Sequence, residues 1–188
     1  TTTVYVYFTP TEVITYAGAL TFTGNFDDVN VTLQGSGSLG LADIVINEIM
    51  YNPSTDQGDD AYYEWLELYN NEDIEVDISG WSFDSGIEYT FDAGTVIGSG
   101  GYLVVAIDPT SVTGYYGITN VVGPFSGGLN NTGELVQLVD ANSDIIDFVE
   151  YADTTPWPTA PDGNGPSLEL KSPGLDNAFA ENWQSCYD

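Results

Sequence analysis

Basic side chains are almost missing from this chain, which has one lysine, no arginine and no histidine beside 29 acidic residues. Without histidine, it can build no Ser-His-Asp triad, no Cys-His dyad and no imidazole zinc site. Its one cysteine, Cys186, excludes an internal disulfide and a thiolate cluster. Its one lysine, Lys171, does not follow a glycine loop, so a phosphate-cradling loop is excluded too. The chemistry that remains is that of carboxylates.

The formal net charge of −28 limits the partners of the chain. Phosphate backbones and anionic lipids need Lys or Arg to replace their counterions, so we expect no nucleic-acid binding. No apolar run has the length of a transmembrane helix, and no signal segment opens the chain. Because the chain begins at Thr1, we expect a processed protein or part of a longer one. Many acidic residues with so few basic ones are typical of a secreted or cell-surface protein, because cations in that setting screen the repulsion between carboxylates.

Short β-type runs separated by Gly, Pro, Asn and Asp clusters dominate the sequence, and helical spacing is nearly absent. Hydrophobic content of 42% indicates a folded chain. The pattern predicts an all-β protein, an immunoglobulin-like antiparallel β-sandwich. The predicted strands are Val4–Phe8, Ala19–Thr23, Val29–Gln34, Asp43–Met50, Tyr63–Tyr69, Trp81–Phe83, Tyr89–Phe91, Tyr102–Ala106, Glu134–Val139, Ile145–Tyr151 and Ser167–Glu169.

A small-residue linker, "GSGSLG" at 35–40, divides the chain into an N-terminal partial β-repeat at 1–37 and a sandwich domain at 38–188. Three strands before the linker cannot close a sandwich. Their sequence, "VYFTPTEVITYAGALTFTGNFDDVNVTLQGSG", resembles the last strands of immunoglobulin-like repeats of the ASPM/SPD-2/Hydin type. We expect these strands to pair with the second domain or, by strand addition, with a neighbouring molecule. The alternative is a repeat cut by a chain boundary or by proteolysis.

Residues 41–188 resemble bacterial lamin tail domains along nearly their whole length. The matching stretches are "IVINEIMYNP", "YYEWLELYNNEDIEVDISGWSF", "FDAGTVIGSGGYLVVAIDP", "NNTGELVQLVD", "IIDFVEY" and "GPSLELKSPGLDNAFAENW". The resemblance implies an immunoglobulin-like sandwich that serves as a non-catalytic module of secreted or surface proteins, sometimes beside hydrolases or nucleases.

Two other segments have structural interpretations. Trp81, which follows the turn at Gly80, is predicted to fill the sandwich core, because aromatic side chains bury large areas. The glycine-rich stretch Pro124–Glu134 is interpreted as a flexible connection.

Two glutamates share strand faces with apolar residues. Alternation places Glu64 with Leu66 and Leu68, and it places Glu48 with Ile44, Ile46 and Met50. Carboxylates in such surroundings need a partner, and the chain has almost no base. If the two strands are neighbours, the two carboxylates can meet, so that one is protonated or a cation lies between them.

Calcium is the cation that such an oxygen-rich extracellular site favours. The loop "NPSTDQGDDAYYE" adds Asp56, Asp59 and Asp60, so five carboxylates, with Glu48 and Glu64, can converge on a structural calcium ion. The alternatives for Glu64 are a carboxylate that caps backbone N–H groups and a protonated carboxyl group.

A second calcium candidate lies in "PDGNGPS", where Asp162 and Asn164 alternate with glycines that let backbone carbonyls turn inward. Neither candidate matches the EF-hand pattern. A solvated turn is the alternative at both places.

These observations predict a non-catalytic structural or adhesive module that binds protein partners. In its stronger form, the chain is the subunit of a surface fibre assembled through its N-terminal strands. The alternative is an accessory or carbohydrate-binding module of a secreted hydrolase, with exposed Trp65, Trp157 or tyrosine residues as stacking platforms. For Trp157 we favour packing against the sandwich. A glycosidase pair of Glu48 with Glu64 or Glu67 is a weaker alternative, because 29 acids bring some pair close in almost any fold.

Overall fold

A computed structural model describes residues 15–22, 29–36 and 42–186 of the chain. The chain divides into two compact units, residues 1–41 and 42–188. In the first unit, β1 (Thr15–Phe22) and β2 (Val29–Ser36) form an antiparallel two-stranded sheet. Two of the predicted N-terminal strands thus exist. The third, Val4–Phe8, lies outside the described residues.

The second unit is built from β-strands, two short helices and one 3₁₀ turn. Its strands are β3 (Ile44–Met50), β4 (Trp65–Asn70), β5 (Val76–Asp77), β6 (Ser82–Ser85), β7 (Ile87–Thr90), β8 (Val96–Ile97), β9 (Tyr102–Ala106), β10 (Val121–Val122), β11 (Ser126–Gly127), β12 (Gly133–Val139), β13 (Ile145–Ala152), β14 (Ser167–Leu170) and β15 (Trp183–Cys186). The helices are α1 (Asp60–Tyr63) and α2 (Pro109–Tyr116), and the 3₁₀ turn is Ala180–Asn182.

Two sheets form the sandwich. The larger sheet has the strand order β10-β9-β4-β3-β14-β15, and the smaller has the order β11-β7-β6-β12-β13. All pairs are antiparallel except that of β10 with β9, which is parallel. The helix α2 connects these two strands, and parallel neighbours need such a crossover. The predicted all-β antiparallel sandwich is confirmed, apart from this one parallel pair.

The main core lies between the sheets. Alternate positions on β4 of the larger sheet and on β12 of the smaller, such as Leu66, Leu68, Val136 and Leu138, are fully buried in one cluster. Trp81 belongs to the same cluster, which confirms its predicted role in the core.

The helix α2 was not predicted, although its ends carry clear signals. The Asp108 carboxylate accepts hydrogen bonds from Thr110 N at 2.9 Å and Ser111 N at 3.1 Å, and a proline occupies the first turn. Gly117, with φ of +70°, closes the helix in the left-handed conformation. Val112 of α2 packs with a second cluster on the outer face of the larger sheet, formed by Met50, Trp65, Val104 and Ala106.

A β-bulge at Asn47 changes which residues of β3 share a face. Ile46 pairs with Leu68, but Glu48 pairs with Glu67, so Asn47 is an extra residue on β3. Before the bulge, Ile46 points into the core. After it, Glu48 points to the outer face and shares that face with Glu67. The expectation that Glu48 shares a face with Ile44 and Ile46 is therefore wrong, whereas Met50, two residues after Glu48, does lie on the same outer face.

Candidate functional site

Glu64 is a deeply buried carboxylate, with 3% of its surface exposed. It caps the C-terminal end of α1 and immediately precedes β4. Its Oε2 accepts a hydrogen bond of 2.8 Å from the backbone N–H of Leu129. Backbone capping was one of the alternatives for Glu64, and the structure shows this contact.

The donor of this bond belongs to the Pro124–Glu134 segment, which several further contacts hold in place. The Leu129 side chain is buried in the core. Asn130 N donates to Glu134 Oε1 at 2.6 Å, and Asn131 Nδ2 donates to Asp60 Oδ2 at 3.1 Å. The segment is thus bonded to both ends of α1, and its interpretation as a mere flexible connection is wrong.

The surroundings of Glu64 favour its neutral form. The pKa of Glu64 is raised to about 7, mainly by burial and also by the charges of Asp60 and Glu134, although the hydrogen bond from the Leu129 N–H lowers it. We therefore expect Glu64 to titrate close to neutral pH. The hydrogen bond from Leu129 provides the carboxyl group with a partner that is not basic, and protonation of Glu64 stays a prediction.

The three aspartates predicted to join Glu64 have separate surroundings. Asp59 is the N-cap of α1, and its Oδ1 accepts from Ala61 N at 3.0 Å. Asp60 contacts Asn131, as described above, and Asp56 is an exposed turn residue. Within the part of the chain that the structure describes, no three or more His, Cys, Asp or Glu side chains form a group that could hold a metal ion.

Glu48 lies apart from Glu64, on the outer face of the larger sheet. It is 9% exposed, and it accepts a hydrogen bond from the Ser167 hydroxyl group. Because of the bulge, Glu48 directly faces Glu67 on one neighbouring strand and Glu169 on the other. The structure therefore brings Glu48 together with Glu67 and Glu169.

The second calcium candidate is a turn in which amide groups contact the carboxylate. Asn52 Nδ2 donates to Asp162 Oδ1 at 2.6 Å, and Asn164 Nδ2 donates to the backbone oxygen of Asp162 at 2.7 Å. The nearby Tyr51 is fully buried, and within the described residues its hydroxyl group has no hydrogen-bond partner. Burial, followed by the charges of Asp162 and Asp153, raises the pKa of Tyr51.

Asp147 is a half-buried carboxylate that sequence reasoning missed. Its Oδ2 accepts from Ile46 N at 2.6 Å and from Asn177 Nδ2 at 2.7 Å. Burial raises its pKa to about 6, although these hydrogen bonds lower it. Asp147, on β13 of the smaller sheet, thereby provides a hydrogen-bond acceptor for the backbone N–H of Ile46, on β3 of the larger sheet. Its signal in the sequence, one Asp between apolar residues of a strand, is too common to single it out.

Neither tryptophan offers a stacking platform for sugars. Trp65 is 5% exposed and packs against Tyr116 of α2, with ring centroids 5.6 Å apart, so the expectation of an exposed Trp65 is wrong. Trp157 packs against the core and contacts Trp183, with centroids 5.9 Å apart. The favoured interpretation of Trp157 is confirmed.

The two facing sheets and their shared core define the class of this protein, an immunoglobulin-like β-sandwich module. The family model described as the lamin tail domain matches residues 40–153, and the chain belongs to this family. Comparison with the curated proteins finds no match. Within the described residues, no helix is long and apolar enough to cross a membrane.

Proposed function

We propose that this chain is a non-catalytic interaction module of a secreted or cell-surface protein. The observation that carries this proposal is the lamin tail sandwich, in which two carboxylates link distant segments of the framework. Glu64 and Asp147 each accept a backbone N–H from a distant segment, which is a structural task. The acidic surface and the lack of histidine support the same function, because they leave few groups for catalysis.

We propose further that the N-terminal unit joins neighbouring molecules by strand addition. Within the described residues, that unit contains one two-stranded sheet, β1 with β2. An isolated two-stranded sheet is at best marginally stable in water, so pairing with another sheet stabilises it. A head-to-tail contact of this kind does not close and can propagate into a fibre.

The experiment compares the full chain with a variant that lacks residues 1–41, by light scattering and electron microscopy. Assembly of the full chain, with a monodisperse shortened variant of unchanged secondary structure, supports the strand-addition proposal. Single particles of both proteins at native salt would refute assembly through the N-terminal unit.

Carbohydrate binding is a second candidate because of one cavity. A cavity of about 470 Å³ is lined by uncharged residues, among them Gln57, Tyr115, Tyr116 and Asn164. Amide groups and the exposed ring of Tyr115 suit neutral sugars. Calorimetry with soluble oligosaccharides tests this candidate. Saturable binding that is lost in the Tyr115→Ala variant supports it, and equal heats for both proteins contradict it.

A further inference from the structure

Four aromatic rings contact one another in succession where α1, α2 and β4 meet. Tyr63 of α1 packs against Tyr115 of α2 with ring centroids 5.6 Å apart, and Tyr115 packs against Tyr116 with centroids 4.9 Å apart. Tyr116 then packs against Trp65 of β4. We call Tyr63, Tyr115 and Tyr116 the tyrosine row. Tyrosines are enriched at protein interfaces, because they combine an apolar ring with a polar hydroxyl group.

Contacts with the loop before α1 hold two members of the row in place. Gln57 Nε2 donates hydrogen bonds to the hydroxyl group of Tyr116 at 3.1 Å and to the backbone oxygen of Gly165 at 3.0 Å. The ring of Tyr63 lies against Gly58, where an added Cβ would be 2.2 Å from the ring atom Cε2. Rings that are already held in place lose little conformational freedom when a partner binds.

Tyr115, the middle member of the row, is accessible to a ligand. It is 52% exposed, whereas Tyr63 and Tyr116 are half-buried. Tyr115 and Tyr116 also line the cavity of about 470 Å³. The row therefore joins an exposed ring to a cavity whose aromatic wall is fixed.

The lining of the cavity favours an uncharged ligand that accepts hydrogen bonds. Its residues are all uncharged, in a chain with 29 acidic residues. The hydroxyl groups of Tyr115 and Ser54 lie at this cavity, and within the described residues neither donates a hydrogen bond. Both can therefore donate to carbonyl groups of a ligand.

The angles between the rings distinguish among uncharged ligands. Tyr115 is inclined by 68° to Tyr63 and by 68° to Tyr116. The rings therefore form two corners and not one flat surface. A sugar ring stacks best on a flat aromatic surface, whereas the compact ring of proline packs into a corner between inclined aromatic rings. This arrangement favours proline.

We propose that the tyrosine row and the adjoining cavity bind an uncharged proline-rich segment of a partner protein in the polyproline II conformation. The backbone of that conformation has no internal hydrogen bonds, so its carbonyl groups accept from donors such as Tyr115 and Ser54. The segment is extended before it binds, which lowers the entropic cost of binding. This inference rests on the proposed function as an interaction module and names the chemistry of its partner.

The test is calorimetry of the full chain with an end-blocked peptide of three Pro-Pro-Ala repeats, beside an end-blocked peptide of three Gly-Ser-Ala repeats, which is flexible. Because both peptides are uncharged, the net charge of the chain cannot cause a difference between them. We expect saturable one-to-one binding of the proline peptide only. Tyr115→Ala should weaken it about tenfold, because an aromatic side chain at the centre of a contact carries much of the binding energy. Tyr115→Phe keeps the ring and loses the donor, so it should weaken binding about threefold.

The matched control is Tyr102→Ala, which removes a tyrosine of similar exposure, 46%. Tyr102 is the first residue of β9, whereas α2 packs near the last, Ala106. We expect this variant to change the affinity less than about twofold, because the two sites are separate. An NMR titration of the wild-type chain locates the peptide without any substitution, and its largest amide shifts should fall in residues 54–58 and 115–116.

Three outcomes would overturn the proposal. One is equal affinity for the two peptides, or no binding of either. Another is an equal loss in the Tyr115→Ala and Tyr102→Ala variants, or amide shifts centred elsewhere. The third is saturable binding of soluble oligosaccharides that Tyr115→Ala abolishes, without binding of the proline peptide, which would assign the cavity to sugars. Peptide binding and assembly through the N-terminal unit are measured separately. Assembly without peptide binding would thus remove this inference alone and leave the proposed function in place.

Discussion

The carboxylate of Glu64 accepts its hydrogen bond from the N–H of Leu129, which lies 65 residues further along the chain. The bond joins the start of β4 to the segment between β11 and β12, so it connects the larger sheet to the smaller one. The bond also holds the Glu64 carboxyl group in the interior of a protein that has almost no basic side chains. The stability of the sandwich should therefore depend on the protonation of this group.

The Glu64→Gln variant should abolish part of the pH dependence of unfolding. Because the pKa of Glu64 rises from 4.5 to about 7 on folding, its contribution is complete below pH 4.5 and is lost as the pH rises to about 7. The neutral amide keeps an acceptor for Leu129 and carries no charge. We expect E64Q to be more stable than the wild type at pH 8, by on the order of 2 kcal/mol, and similar at pH 4.5.

Urea unfolding at the two pH values measures this difference. The control E88Q changes an exposed glutamate and should leave the pH dependence close to that of the wild type. Glu64→Ala should lose stability at both pH values, because it leaves a buried N–H group without an acceptor. An E64Q protein that loses stability at pH 8 would contradict the raised pKa.

Removal of the Asp147 carboxylate should destabilise the contact between the sheets. Asp147→Ala leaves Ile46 N–H and Asn177 Nδ2 without their acceptor, at a cost of about 2 kcal/mol. The cost should be largest at acidic pH, where this carboxyl group is protonated. Because the pKa of Asp147 rises from 3.8 to about 6, its own contribution falls as the pH rises through that range. Thermal unfolding at pH 5 and pH 8 tests this, with D144A at an exposed neighbouring position as the control.

Gly133 and Gly94 should respond differently to alanine. Both have positive φ, +106° and +86°. A Cβ at Gly133 would lie 2.3 Å from the backbone oxygen of Tyr151, whereas one at Gly94 has nothing within 4 Å. We expect G94A to cost about 1 kcal/mol, from its backbone conformation alone, and G133A to cost at least 1 kcal/mol more. Equal melting temperatures of the two variants would contradict this expectation.

Calcium at Asp56–Glu64 and at Asp162–Asn164 stays a prediction that calorimetry can decide. A ligand that binds only the folded state raises the melting temperature. A stabilising site therefore predicts a higher melting temperature in millimolar calcium than in chelator. The gain should disappear in D60N for the first region and in D162N for the second, but not in D144N, which changes an exposed aspartate elsewhere. An unchanged temperature would exclude a stabilising site in either region.

The sequence by itself determined the strands with clear alternation, because burial of every second side chain is a local pattern. Tyr102–Ala106 has its predicted ends, and β12 and β13 differ from theirs by one residue. The two-residue strands β5, β8, β10 and β11 are too short to show a period, so their pairing comes from neighbours in space. The Asp-Pro and Gly signals of α2 were present in the sequence.

Tertiary structure alone decided which carboxylates meet. One extra residue at Asn47 reverses the faces of β3, and it separates Glu48 from Glu64 while aligning it with Glu67 and Glu169. Strand alternation cannot reveal a bulge, because the extra residue appears only when the register of two strands is known. The composition alone showed that a carboxylate in this protein has almost no basic side chain as a partner. Glu64 has the N–H group of Leu129 as its partner instead of a basic side chain. That contact depends on the tertiary structure, because the two residues are 65 positions apart in the sequence.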